Sequence, residues 1–257
     1  MPALGLAAAV LGTGIPAQAA PAVHYVALGD SYSSGVGAGG TSGSCARSPN
    51  AYPALWAKAH SPASFTFAAC SGATTGDVIN SQLSSLSAST TLVSITIGGN
   101  DVGFSRIMET CVLESTRSCQ SVIAAAEKYA SGTLPGLLKT TLSDIREHAP
   151  NAKVIVSDYP DFYDLSAWLC LGLSSADHQA LDSGINQLDG VLRTAAAKNG
   201  DTFADVRSEF TSHEICSGSD WLHAVTLPLG NSYHPTASGQ KGGYLTAFTA
   251  AAASVGQ

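Results

Sequence analysis

The chain has 257 residues, 45% hydrophobic and only 12% charged, with a net charge of -7. That length suits one domain with a full core. The acidic balance (pI near 5.3) argues against affinity for nucleic acid or anionic membranes, and after residue 20 no apolar run reaches the ~18 residues of a membrane span.

Residues 1–20, "MPALGLAAAVLGTGIPAQAA", carry no charge and end on Ala17-Gln18-Ala19. An apolar segment closed by a small-residue A-x-A site reads as the C-terminal part of a secretory signal peptide, although the basic n-region is missing. The mature domain is then expected over residues 21–257, secreted and extracellular. Six cysteines fit an exported chain: Cys45, Cys70, Cys111, Cys119, Cys170 and Cys216. An even count suggests three disulfides, for which about 15 pairings exist. Neighbours closing local loops are the simplest: 45–70, 111–119 and 170–216. No Cys-x-x-Cys occurs, and no spacing suits zinc.

In chain order, 23–28 reads as a strand and 51–60 as a short helix with Pro53 near its start. Residues 64–69 form a second strand and 77–86 a helix. "TLVSITI", 91–97, is a buried strand by its β-branched content. Helical patterns cover 121–130 and 135–148, and "AKVIVSD", 152–158, is a fourth strand. Over 178–196, Leu181, Ile185, Leu188, Leu192 and Ala195 share one helical face. A weak fifth strand spans 202–207, and the Ala-rich segment after Pro235 is helical. Strand–helix alternation predicts a single-domain three-layer α/β/α sandwich around a five-stranded parallel sheet. The loops at 101–135 and 159–175 remain without a derivable shape.

The first strand stops at Gly29-Asp30-Ser31, and "GVGAGG" follows at 35–40. That run formally matches a dinucleotide fingerprint. Such a site needs the loop to open a helix, with an acidic residue about 20 positions on. Here "TSGSCARSPN" follows, and the next acid after Asp30 is Asp77. The more informative residue is Ser31, just past the carboxyl end of a parallel strand, where such sheets bind ligands. Three further loops follow in order. "ACSGATT" offers Gly72 after the second strand, and "IGGNDVGF" offers Asn100 after the third. "NSYHPTASGQ" sets His234 before Pro235 and the last helix.

This ordered set resembles the SGNH hydrolase family, also called GDSL esterases and lipases. It is carried by Gly29-Asp30-Ser31, Gly72, Gly98-Gly99-Asn100-Asp101 and His234-Pro235. Together with the six cysteines, the local text is most similar to that family's secreted lipases and phospholipases of the Streptomyces type. The resemblance implies Ser31 as nucleophile and His234 as its base, with Ser31 N–H, Gly72 N–H and the Asn100 amide as oxyanion donors. A serine hydroxyl needs such a base, and histidine titrates in the right range. One departure stands out. The family's usual Asp-x-x-His has Asn231 at the acid position, so the resemblance implies a Ser–His dyad whose histidine is oriented by a main-chain carbonyl near Ser232, with Asn231 the other candidate. "DWLH" supplies a decoy in Asp220 and His223. His24, His60, His148, His178 and His213 read as surface or loop residues, and Asp158, Asp161 and Asp164 as a solvated loop. The expected activity is hydrolysis of carboxylic lipid esters by a monomer, with no cofactor or metal, no nucleic acid and at most transient contact with a lipid interface. A phospholipase A-type activity, a carbohydrate O-deacetylase and an inactive binding protein on this fold stay open.

Overall fold

Strand β1 spans His24–Gly29 and runs straight into a one-turn helix, α1 (Ser31–Ser34). The computed structural model describes residues 22–257, so the expected signal segment lies outside the described residues. Next come α2 (Tyr52–His60), β2 (Ser64–Phe67) and α3 (Thr75–Asp77), which winds on through a π turn, Val78–Gln82, and a 3₁₀ turn, Leu83–Ser85. After β3 (Leu92–Thr96) stand three helices: α4 (Phe104–Leu113), α5 (Thr116–Gly132) and α6 (Leu134–His148). The chain closes with β4 (Lys153–Ser157), α7 (Ser175–Asn199), β5 (Thr202–Ala204), α8 (Arg207–Phe210) and α9 (Leu245–Ser254).

The five strands pair in parallel in the order β2-β1-β3-β4-β5. The chain therefore reverses direction across the sheet between β1 and β3, the switch point beyond which such sheets bind ligands. Every residue of β3 is buried, as a strand covered on both faces must be. On one face α2 and α9 bring Trp56 and Phe248 against Tyr25, with ring centroids 5.3 Å and 5.6 Å away. On the other, α6 and α7 bury Leu138, Leu142, Ile145, Leu188 and Leu192. This is the expected three-layer sandwich.

Several details differ from the sequence reading. Helix α4 falls where no element was assigned. Residues 77–86 are three short helical pieces rather than one helix, and the fifth strand is only Thr202–Ala204. Asp158 is not in a solvated loop but fully buried. It accepts from Val206 N–H at 2.7 Å and faces the Arg207 guanidinium, which also reaches Asp189. Burial raises the pKa of both carboxyls, and a neighbouring carboxylate adds to it in each case, Asp205 for Asp158 and Asp158 for Asp189. His178 is likewise no surface residue: it is buried on α7, stacked on Tyr163 at 3.8 Å. The disulfides are Cys45–Cys70, Cys111–Cys119 and Cys170–Cys216.

Candidate active site

The sharp turn at the end of β1 places Ser31 at the first position of α1, with the Asp30 side chain capping that helix through Tyr32 N–H at 2.9 Å. Ser31 N–H is thus one of the amides that a helix start leaves without an intrahelical partner. His234 enters from the far end of the chain. Its Nε2 lies 2.7 Å from Ser31 Oγ, and its Nδ1 lies 3.1 Å from the carbonyl of Ser232. A carbonyl can only accept, so Nδ1 carries the proton and the Nε2 lone pair faces the serine hydroxyl. Burial, the larger effect, lowers the His234 pKa to about 4 despite the bond to Ser232. The imidazole is neutral over the whole physiological range.

Three features set the imidazole. Tyr233 adopts the left-handed region, φ 62°, which turns the next residue toward Ser31. The Tyr233 carbonyl accepts from the Tyr32 hydroxyl at 2.6 Å, and its own hydroxyl meets Tyr163 at 2.8 Å. Residues 221–223 pair with 233–235, and Gly37 of the glycine-rich run packs beneath them. A Cβ at Gly37 would stand 2.7 Å from the Pro235 carbonyl oxygen, and its φ is 86°. The glycines of that run serve close packing against the histidine segment, not a phosphate.

The residues expected to face an oxyanion come from two loops tied together. Asn100 donates one amide hydrogen to the Ala73 carbonyl at 3.0 Å, leaving its second N–H to serve the site. Asp101 accepts from both the hydroxyl and the backbone N–H of Thr75. Gly72, between these anchors and the Cys45–Cys70 bridge, takes φ 81° with open space where a Cβ would stand. It is the backbone conformation, rather than close approach, that calls for glycine there.

Sequence reasoning missed Tyr159. Its hydroxyl donates to Asp30 at 2.5 Å and accepts from Gly99 N–H at 3.0 Å. Asp30 is buried and its pKa is raised to about 7, desolvation outweighing its bonds from the Tyr159 hydroxyl and Tyr32 N–H. The signal available was position: Tyr159 follows the carboxyl end of β4, the same sheet edge as Ser31. The decoy pair is split. Asp220 accepts from Cys216 N–H, Gly218 N–H and the Ser217 hydroxyl, while His223 Nε2 faces the Gly37 carbonyl at 2.9 Å. Among the described residues, Asn231 meets His234 only through its carbonyl, which accepts from His234 N–H at 3.2 Å; its side chain does not orient the ring. No His, Cys, Asp or Glu group among the described residues could hold a metal.

Beside Ser31 and Asn100 opens an apolar pocket. Phe104, Ile107 and Met108 of α4 line it, with Ile123 of α5 and Leu181 and Ile185 of α7 opposite.

A model of the GDSL-like lipase/acylhydrolase family matches residues 27–241. The chain belongs to this family. Lipase 1 of Streptomyces coelicolor is 55% identical over 254 residues, covering 97% of this chain and 94% of that protein. The crystal structures of phospholipase A1 from Streptomyces albidoflavus and of an extracellular lipase from Streptomyces rimosus each match with a TM-score of 0.88 at 49% identity, over 90% of this chain and 100% of theirs. As a GDSL-family member with lipase relatives this similar, the protein is a carboxylic ester hydrolase, and its α/β architecture is that of the Streptomyces lipase structures.

Proposed function

We propose that this GDSL-family chain is an exported enzyme that hydrolyses lipid esters through a Ser31–His234 dyad. The observation that carries the reading is the 2.7 Å contact between His234 Nε2 and Ser31 Oγ, with the ring's other nitrogen held by a carbonyl.

In this scheme Ser31 Oγ attacks the ester carbonyl carbon while its proton passes to Nε2. The negative charge that forms on the carbonyl oxygen is met by Ser31 N–H, Gly72 N–H and the free Asn100 N–H. Each such preorganised donor is worth about 2.7–4 kcal/mol in the transition state. The imidazolium formed at the same moment lies in a buried site with no carboxylate at Nδ1. The Ser232 carbonyl and the oxyanion itself are its nearest compensation. Collapse of the tetrahedral intermediate breaks the C–O bond, and Nε2–H protonates the leaving alcohol. Water then repeats the sequence on the acyl-enzyme, freeing the acid.

The pocket's apolar lining supports an apolar acyl group, at about 0.8 kcal/mol per methylene buried. The three disulfides support export, since cytosolic thiols stay reduced. A serine-directed alkyl phosphonate should label Ser31, and Ser31→Ala should abolish turnover without altering the fold. More than a few per cent of wild-type turnover in that variant would overturn the assignment. A panel of p-nitrophenyl esters of rising chain length, triacylglycerol, phosphatidylcholine and acetylated xylan reads the substrate class.

A further inference from the structure

Among the described residues, exposed large hydrophobic side chains concentrate on two short segments, 165–171 and 225–229. Trp168 is 93% exposed, Leu227 84% and Leu171 82%. Neither segment carries charge: Asp, Glu, Lys and Arg are absent from 165–176 and again from 221–240. Monomer surfaces seldom group apolar side chains in this way without a partner.

Both segments belong to the edge of the sheet that bears the active site. The first follows the carboxyl end of β4 and is pinned by Cys170–Cys216. The second is pinned to the histidine loop, because Thr226 N–H donates to Ser232 Oγ at 3.0 Å and the Ser232 carbonyl holds His234. A third apolar side chain, Leu113, ends the helix whose Phe104, Ile107 and Met108 line the pocket. The residues that follow it are tied to the start of α7, just past the first segment, Thr116 donating to Asp177 at 2.9 Å.

We propose that these segments dock the enzyme on the surface of aggregated lipid of zero net charge, a zwitterionic phospholipid layer. The inference rests on the lipid-ester reading of the pocket, for docking there lets an acyl chain pass from the layer into the pocket without crossing water. The charge-free segments and the net charge of -7 suit a neutral surface and disfavour an anionic one.

The test uses Ser31→Ala, so that the lipid stays intact, with phosphatidylcholine vesicles. We expect flotation with the vesicles and a blue-shifted Trp168 emission that Trp168→Phe removes. Adding Trp168→Gln, Leu171→Gln and Leu227→Gln should weaken vesicle binding at least tenfold. The same three changes on the active enzyme should leave turnover of a dispersed short-chain ester within twofold. Replacing part of the phosphatidylcholine by phosphatidylglycerol should weaken binding at low salt. No vesicle binding, tighter binding to the anionic vesicles, or equal loss on both substrates would overturn docking. So would a dimer in sedimentation that the three changes dissolve, since a second copy would then own the surface. An enzyme inactive on every ester but still bound to vesicles would instead sink the lipid-ester reading and leave the surface standing.

Discussion

The Tyr159 hydroxyl lies 2.5 Å from the carboxylate of Asp30, the residue immediately before Ser31. The same oxygen accepts from Gly99 N–H, immediately before Asn100. One side chain thus sets the spacing between the proposed nucleophile and the proposed oxyanion donor. Tyr159→Phe keeps the ring but leaves a buried carboxyl and a buried amide short of a partner, at about 1–3 kcal/mol. A shift of ~1 Å between reacting groups can cost about a hundredfold, so kcat should fall ten- to a hundredfold while KM stays within twofold. Equal changes in both would make Tyr159 merely structural.

The Asn231 side chain has no part in orienting His234. Asn231→Ala should therefore cost less than about tenfold, or ~1.4 kcal/mol, and Asn231→Asp should not lower turnover, since it adds a negative charge near the imidazolium. His234→Ala should be near-inactive. Asp220→Ala should leave kcat nearly unchanged, since that carboxylate serves only a local turn. His223→Ala should be mild as well. Measured on one short-chain ester, an inactive Asp220 and His223 pair beside an active His234→Ala would refute the dyad.

The pH profile follows from burial. With the His234 pKa at about 4, the base form persists well below neutrality. The acid limb of kcat/KM should have its midpoint near pH 4 to 5. A midpoint at 6.5 would mean that the ring is as well solvated as free histidine.

Stability should run in the opposite sense above pH 6. Burial first raises the carboxyls of Asp30 and Asp182 from 3.8 to about 7. Their protonated forms favour the folded state, and that contribution is lost as pH rises through about 7. His234, lowered from 6.5 to about 4, costs stability only as pH falls through that lower window. Tm should therefore drop between pH 6 and 8.5. Asp182→Asn, which keeps an oxygen to accept from Phe162 N–H at 2.8 Å, should flatten the drop. A Tm that rises over this interval would contradict the assignment.

The Cys45–Cys70 bridge closes a loop of 25 residues that flanks Gly72, a constraint worth about 3 kcal/mol on loop entropy. Replacing both cysteines by serine should lower stability by about that amount in a urea titration. It should also lower kcat, because Cys70 leads directly into the loop that carries Gly72. Unchanged kcat in the folded double variant would separate the bridge from the site.

What could be read from the chain was local. Ser31, Gly72, Asn100 and His234 each sit in a short loop whose residue types announce a turn, and the strands before them are plainly β-branched or apolar. What could not be read depends on distant partners. Asp158 and Asp164 look alike in "SDYPDFYD", yet only Asp158 is buried, because Val206 and Arg207 meet it from 48 positions on. His178 is buried because Tyr163 comes to lie on its ring. Helix α4 did leave a trace in Phe104, Ile107, Met108 and Cys111, spaced i, i+3, i+4 and i+7. The trace is short, and Gly103 gives it no side-chain cap. Tyr159 differs again: nothing about a tyrosine after a strand says which two loops its hydroxyl will join.

Tyr233 holds a backbone shape that glycine would adopt more readily, by about 1–2 kcal/mol. Relieving that shape with Tyr233→Gly would cost more than it gains, because removing a fully buried ring leaves a cavity worth about 3–5 kcal/mol. That exchange would delete the hydroxyl that meets Tyr163 and the ring that packs on Phe162, freeing the segment that aims the histidine. Robustness and turnover therefore make the same demand on this one position, and screens for either property should keep the strained tyrosine there.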